Sequence, residues 1–256
     1  MRYACVVALA LVFAPSLGRA LPVLDQAFGA GPATPAGGSV TYLTSTEYDH
    51  LPPGDLTRPA VDQAQTFTVG VSGSLTRAGM WLGACCTDPA IQLVPLEVQL
   101  RRTVGGVPGT APSDILASVF LSQADIQSVE VPEPGPYGVG WLEWSFPSAP
   151  TVAAGDVLAL VLVHYPLPDP NFDLYDTGAY RARGDEVLTG SVNPTYDRGQ
   201  EFYLPSTLGT WQSQDGPSDH FDIFFATWVD VPEPGAASAV TLALALFASL
   251  RARRRQ

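Results

Sequence analysis

Between residues 65 and 229 the apolar side chains recur at every second position in short runs, and turn residues separate the runs. A period of two marks a β-strand with one face buried, because successive side chains point to opposite faces. In 65–71, Phe67, Val69 and Val71 alternate with Thr66, Thr68 and Gly70; Ser72-Gly73 is a turn, and 75–82 makes the second arm of a hairpin. In 94–101, Leu96, Val98 and Leu100 take one face and Glu97, Gln99 and Arg101 the other. In 141–146, Leu142, Trp144 and Phe146 oppose Trp141, Glu143 and Ser145. The run 115–121 is apolar, and 157–163 is apolar at every position after the turn Ala154-Gly155-Asp156. A strand without alternation is buried on both faces, so 157–163 is expected at the centre of a sheet. The run 221–229 closes the series as one strand, with Phe221, Ile223 and Phe225 inward. Helical periodicity is absent from 61–230. Seven or more short strands of this kind predict an all-β, antiparallel β-sandwich over 61–230, jelly-roll-like in topology.

Composition agrees with one folded β domain. The chain carries 24 Gly and 24 Pro in 256 residues, below the roughly 25–30% at which low complexity takes over. Residues 21–60 are rich in both and read as an N-terminal arm or the first strands. Lysine is absent, and all 13 basic residues are arginine, against 25 acidic ones. A net charge of −12 excludes nucleic-acid binding built on a basic face.

The two ends read as separate from the domain. Residues 1–20 have the form of a signal peptide: Arg2 at the start, an uncharged apolar run over 4–14, Pro15 as a breaker, and Gly18-Arg19-Ala20 as a small-residue site with cleavage after Ala20. The alternative is a retained anchor, for which the run falls short of the ~20 residues a span needs. At the other end, Pro232-Glu233-Pro234 precedes an apolar, Ala/Leu-rich stretch over 235–250 and then Arg251, Arg253, Arg254 and Arg255. Sixteen helical residues span about 24 Å, somewhat short of a ~30 Å hydrocarbon core. The arginines close part of that gap by snorkelling, and they keep this end cytoplasmic, so the domain faces outward. Without both ends, residues 21–230 hold seven arginines against 24 acidic residues, a net of −17.

This tail, residues 231–256, resembles the PEP-CTERM sorting signal: the Pro-Glu-Pro motif, one short transmembrane helix and an arginine cluster, in that order. The internal copy, Val131-Pro132-Glu133-Pro134-Gly135, lacks the helix and the cluster and reads as a turn. Ala252 interrupts the arginine run. The resemblance implies an exosortase substrate that passes through the secretion machinery. It would be held transiently in the inner membrane of a polysaccharide-producing Gram-negative bacterium, then released or transferred toward the cell surface or extracellular matrix. A second resemblance covers about 61–229. The opening 65–70 with Gly73-Ser74-Leu75-Thr76-Arg77, then Leu116-Ala117, the strand 157–163 and the closing strand 221–229 look like the jelly-roll domain common in PEP-CTERM surface proteins. Such domains are similar in fold to carbohydrate-binding modules.

Few side chains declare chemistry. Cys85 and Cys86 are adjacent, and Cys5 leaves with the signal peptide. In an oxidising compartment the pair forms a strained vicinal disulfide, stays as free thiols, or bridges between molecules. Asp169, Asn171 and Asp173 place oxygens at alternate positions, which suits a Ca²⁺ loop. Leu174 and Tyr180 stand where an EF-hand requires Gly and Glu, which leaves a different Ca²⁺ loop or a solvated acidic loop. Trp141, Trp211, Trp228, Tyr175 and Tyr180 fall on outward faces or in loops, where sugar rings stack on aromatic ones. The competing reading for each is packing. No G-x-S-x-G elbow occurs (Gly70-Val71-Ser72-Gly73-Ser74 lacks the last Gly), and no phosphate loop or H-E-x-x-H motif either. The expectation is a structural or adhesive surface protein associated with extracellular polysaccharide, with a carbohydrate-binding module as the alternative and, behind it, a polysaccharide-active enzyme built on a pair among the many carboxylates. No catalytic residue and no resident cofactor are assigned.

Overall fold

A computed structural model describes residues 20–29, 40–44, 61–84, 95–130, 139–163, 180–187, 196–205, 209–213 and 220–232. The chain divides into two units, one of Pro22–Asp230 and one of Met1–Leu21 and Val231–Gln256. Apart from residues 20, 21, 231 and 232, everything described belongs to the first.

The strands in chain order are β1 (Leu21–Phe28), β2 (Val40–Thr44), β3 (Val61–Thr68), β4 (Gly73–Ala84), β5 (Leu96–Val104), β6 (Val107–Pro108), β7 (Ile115–Leu121), β8 (Gly140–Ser145), β9 (Thr151–Val152), β10 (Val157–Val163), β11 (Tyr180–Val187), β12 (Glu201–Pro205), β13 (Gln212–Ser213), β14 (His220–Ile223) and β15 (Phe225–Val231); the described residues add one α-helix, α1 (Gln123–Gln127), and a short 3-10 turn, Pro112–Asp114. They form two sheets. The eight-stranded sheet runs β1-β15-β4-β11-β14, with β8 and β9 on β4 and β2 on β11. The seven-stranded sheet runs β13-β12-β3-β10-β5-β6, with β7 on β5. The pairings whose register is described are antiparallel, and the architecture is an all-β sandwich.

The expected centre is the observed one. β10 lies between β3 and β5, its Leu158, Leu160 and Leu162 in register with Phe67, Gln65 and Gln63 on one side. Leu160 and Leu162 also meet Leu100 and Val98 of β5. Ala159 and Val161 point the other way and are just as buried, which is why this strand carries no alternation. Across the sandwich, Phe67 meets Phe225 with ring centroids 5.6 Å apart.

Three expectations are corrected. Residues 221–229 are not one strand: Phe224 breaks the run, and it packs with Trp81 and Val139 while Ile223 and Phe225 are buried in the core. A helix does occur within 61–230. Ser122 caps α1 by accepting a hydrogen bond from Asp125 N at 3.1 Å, and Asp125 accepts one from Ser122 N. Five residues are too few to show a period, but the Ser-x-x-Asp capping box was visible. Finally, Glu97 and Gln99 are not solvated; they are 7% and 6% exposed and joined at 2.9 Å, with Arg101 Nε donating on to Gln99.

The sheets are pinned together by polar groups as well as apolar ones. Gln65 of β3 donates from Nε2 to Asp222 Oδ1 of β14 at 2.9 Å and accepts from Ile223 N at 2.7 Å. Asp222 Oδ2 accepts from Tyr196 N, and the Tyr196 hydroxyl donates to Gln26 Oε1 of β1 at 3.0 Å. Burial pushes the Tyr196 phenol up to about 12, so it keeps the proton that this bond needs. Among the described residues, no helix is long and apolar enough to cross a membrane. Residues 1–19 of the expected signal peptide 1–20, the segment 131–135 expected to form a turn, and the tail beyond Pro232 lie outside the described residues.

Replacing Gln65 by Leu keeps the volume but leaves the buried Ile223 N–H unpaired and removes one partner of Asp222. The expected loss is about 2–4 kcal/mol of unfolding free energy, read by urea titration; a loss too small to resolve would show that the bridge is not a clasp.

Candidate functional site

The outer face of the eight-stranded sheet concentrates aromatic and charged side chains where β15, β4 and β8 lie side by side. Register sets the pattern. Trp228, Arg77 and Ser145 form one row across the three strands; Ala226, Gly79 and Glu143 form the next; Trp81 and Trp141 stand opposite each other beyond it. All project from the same face, since Phe225, Met80, Ala78 and Trp144 alternate with them and fill the core.

Each side chain in this strip is held by its neighbour. Trp81 is 2% exposed, donates from Nε1 to Gly29 O at 3.2 Å, and packs against Val139 and Phe224. Trp141 meets Trp81 edge to face with centroids 6.3 Å apart, and it remains partly exposed. Its Nε1 donates to Glu143 Oε1 at 3.0 Å. The other carboxylate oxygen, Oε2, lies 3.2 Å from Arg77 Nη1. The Arg77 guanidinium stacks over Trp228, its Cζ 4.1 Å from the ring centroid. The result is a continuous chain from Trp81 through Trp141, Glu143 and Arg77 to Trp228. The ion pair adds little stability in such exposed surroundings, about 0–1 kcal/mol; its effect is to fix two flexible side chains between two indoles. Gly79 makes the floor. A Cβ there would come 2.8 Å from Trp141 Cζ2, so the indole can lie over the strand only because the position is glycine.

Such a strip offers two partly exposed indoles with a carboxylate acceptor and a guanidinium donor between them. Sugar rings are matched by that combination: C–H faces stack on the indoles and hydroxyls bond the polar pair. Because the groups already hold one another, little rotamer freedom is lost on binding.

Of the aromatic residues singled out in the sequence, Trp141 and Trp228 come together here. Trp211 does not join them. It lies on the outer side of the seven-stranded sheet, 9% exposed, packed with Ala64, Ala159, Val161 and Phe202, and among the described residues its Nε1 has no hydrogen-bond partner. Trp211 is a cover for that face rather than an open platform. Tyr180 opens β11, where only the backbone is described, and Tyr175 lies outside the described residues. So do Cys85, Cys86, Asp169, Asn171 and Asp173, together with Glu233, Pro234, Arg251, Arg253, Arg254 and Arg255; Pro232 is described and exposed. Among the described residues, no three His, Cys, Asp or Glu side chains are grouped to hold a metal ion.

Arg77, Gly79 and Glu143 were not picked out by sequence. The Trp141-x-Glu143 spacing places both on one face of a strand, and that signal was available; Arg77 needed the strand order, because it sits on a different strand. No protein-family model matches the chain, and no curated protein matches it.

Gly79→Ala tests the seating of Trp141. The added Cβ is expected to displace the indole and change the near-ultraviolet circular dichroism while the far-ultraviolet spectrum stays as it is. An unchanged near-ultraviolet spectrum would mean that Trp141 does not rest over Gly79.

Proposed function

We propose that this protein is exported, sorted to the cell surface by an exosortase, and acts there as an adhesive component that binds extracellular polysaccharide through the outer face of its eight-stranded sheet. The observation that carries the reading is the strip Trp141–Glu143–Arg77–Trp228. The finer fold reading, a jelly-roll-like module related in architecture to carbohydrate-binding modules, is part of the same proposal. The sorting half rests on the sequence at the two ends: the signal peptide 1–20, and Pro232, Glu233 and Pro234 followed by the apolar stretch and the arginine cluster.

Binding is favoured over turnover for a geometric reason. Both oxygens of Glu143 are engaged, one by the Trp141 indole and one by Arg77, which suits a fixed acceptor. A glycoside hydrolase needs two carboxyl groups about 5–9 Å apart, one of them free to exchange a proton, and within the strip Glu143 is the carboxylate supplied. The ligand class is a neutral or weakly charged glycan. A strongly anionic polymer would be opposed by a mature domain with seven arginines against 24 acidic residues.

Two measurements test the two halves. The purified full chain should bind the host's own extracellular polysaccharide saturably, and Trp141→Ala and Trp228→Ala should each weaken binding about fivefold or more, the effect of about 1 kcal/mol per lost stacking face. Wild-type affinity in the double variant would overturn the binding site. Deleting the host exosortase should leave the uncleaved protein in the membrane; processing that continues unchanged would overturn the sorting assignment.

A further inference from the structure

We propose that β7 is a self-association edge, where a second copy of this chain adds antiparallel and extends the seven-stranded sheet. The strand pairs with β5 on one side, and among the described residues no strand lies on its other side. In an antiparallel strand, alternate residues direct their N–H and C=O groups to opposite edges, so about half of those in β7 face away from β5. Edges of this kind are usually blunted by charge, proline or a bulge. β7, with the sequence Ile-Leu-Ala-Ser-Val-Phe-Leu, has neither charge nor proline. Its register shift falls at the start, between the pairs Ala117↔Leu100 and Ile115↔Arg101, which leaves 117–121 regular. Phe120 stands 60% exposed on the outer face, in register with Glu97.

The occupant follows from charge and symmetry. Two copies of a domain carrying seven arginines and 24 acidic residues repel over most of their surfaces. The uncharged run 115–121 is a place where they can approach without opposing like charges. An antiparallel strand pair is also self-complementary about a two-fold axis. With that axis at Val119, each Phe120 lies across from the partner copy's Ser118 and loses its exposure, and Leu121 faces Ala117. A contact of one strand's length falls at or below the small end of specific interfaces, about 1,200 Å² in total, so the dimer is concentration-dependent. The consequence reaches the other sheet. A two-fold that continues one sheet leaves both copies' eight-stranded sheets on the same side, so two aromatic strips face one way and can engage one polymer with avidity. The dimer itself does not depend on the polysaccharide reading, and its test uses no glycan.

Sedimentation equilibrium of the full chain in density-matched detergent is expected to show a monomer–dimer equilibrium. Ser118→Lys, a charge at the edge and on the outer face, should raise the dissociation constant about tenfold or more with an unchanged far-ultraviolet spectrum. Hydrogen exchange of the wild-type protein supplies a readout that needs no variant: amides within 117–121 should gain protection as concentration rises. A monomer at every concentration, a dimer indifferent to Ser118→Lys, open-ended assemblies in place of dimers, or exchange at 117–121 that ignores concentration would each overturn the proposal.

Discussion

One side-chain amide fixes how the two layers of this sandwich meet. Gln65 is wholly buried, and both ends of its amide are committed across the gap, Nε2 to Asp222 and Oε1 to the backbone of Ile223. Apolar packing between sheets is forgiving of a sideways slip; a buried amide with two bonded ends is not, because a slip leaves donors and acceptors unpaired at a cost of about 1–3 kcal/mol each. The network continues through Tyr196 to Gln26, and so reaches β1 at the far edge of the eight-stranded sheet. Polar groups here set the relation between layers, and the leucines, valines and phenylalanines around them supply the driving force.

The outer faces inherit that order. With Phe225, Met80, Ala78 and Trp144 directed into the core, the period of two leaves Trp228, Arg77, Gly79, Trp141 and Glu143 no choice but the opposite face. A one-residue slip of β8 against β4 would send Trp141 and Glu143 inward and dissolve the strip. The strip is therefore a by-product of core register, and its rigidity comes from the same source. Trp141 rests on a buried Trp81, which is itself tied to Gly29. The two outer faces then diverge. On the seven-stranded sheet Trp211 and Phe202 cover Ala64, Ala159 and Val161, while on the eight-stranded sheet two indoles stay partly open.

The period of two made much of the fold legible. It predicted the inward faces of 94–101 and 141–146, and the missing alternation of 157–163 predicted its central place. What alternation reports is the side of a strand, not what lies over that side. That is why Glu97 and Gln99 were expected in solvent and are buried, and why Trp211 was grouped with Trp141 although one is covered and the other partly open. Strand order was equally invisible. Arg77 and Glu143 are 66 positions apart in the chain yet 3.2 Å apart in space, because β4 and β8 are neighbours. Phe224 failed differently: one irregular residue between two strands of the same sheet leaves no mark on a pattern of alternating apolar positions.

Charge links these features into one physical argument. An acidic domain without lysine stays dispersed, since like charges keep copies apart at long range. Such a domain can still cohere through uncharged surfaces, where stacking and backbone hydrogen bonding are insensitive to net charge. The strip meets that condition because its one carboxylate and one guanidinium cancel each other. The β7 edge meets it because it carries no charge at all. Contacts of this kind hold against rising salt, which screens the repulsion between copies and leaves stacking untouched. Surfaces on which charge is balanced or absent are therefore the ones through which so acidic a domain can hold a partner at any ionic strength.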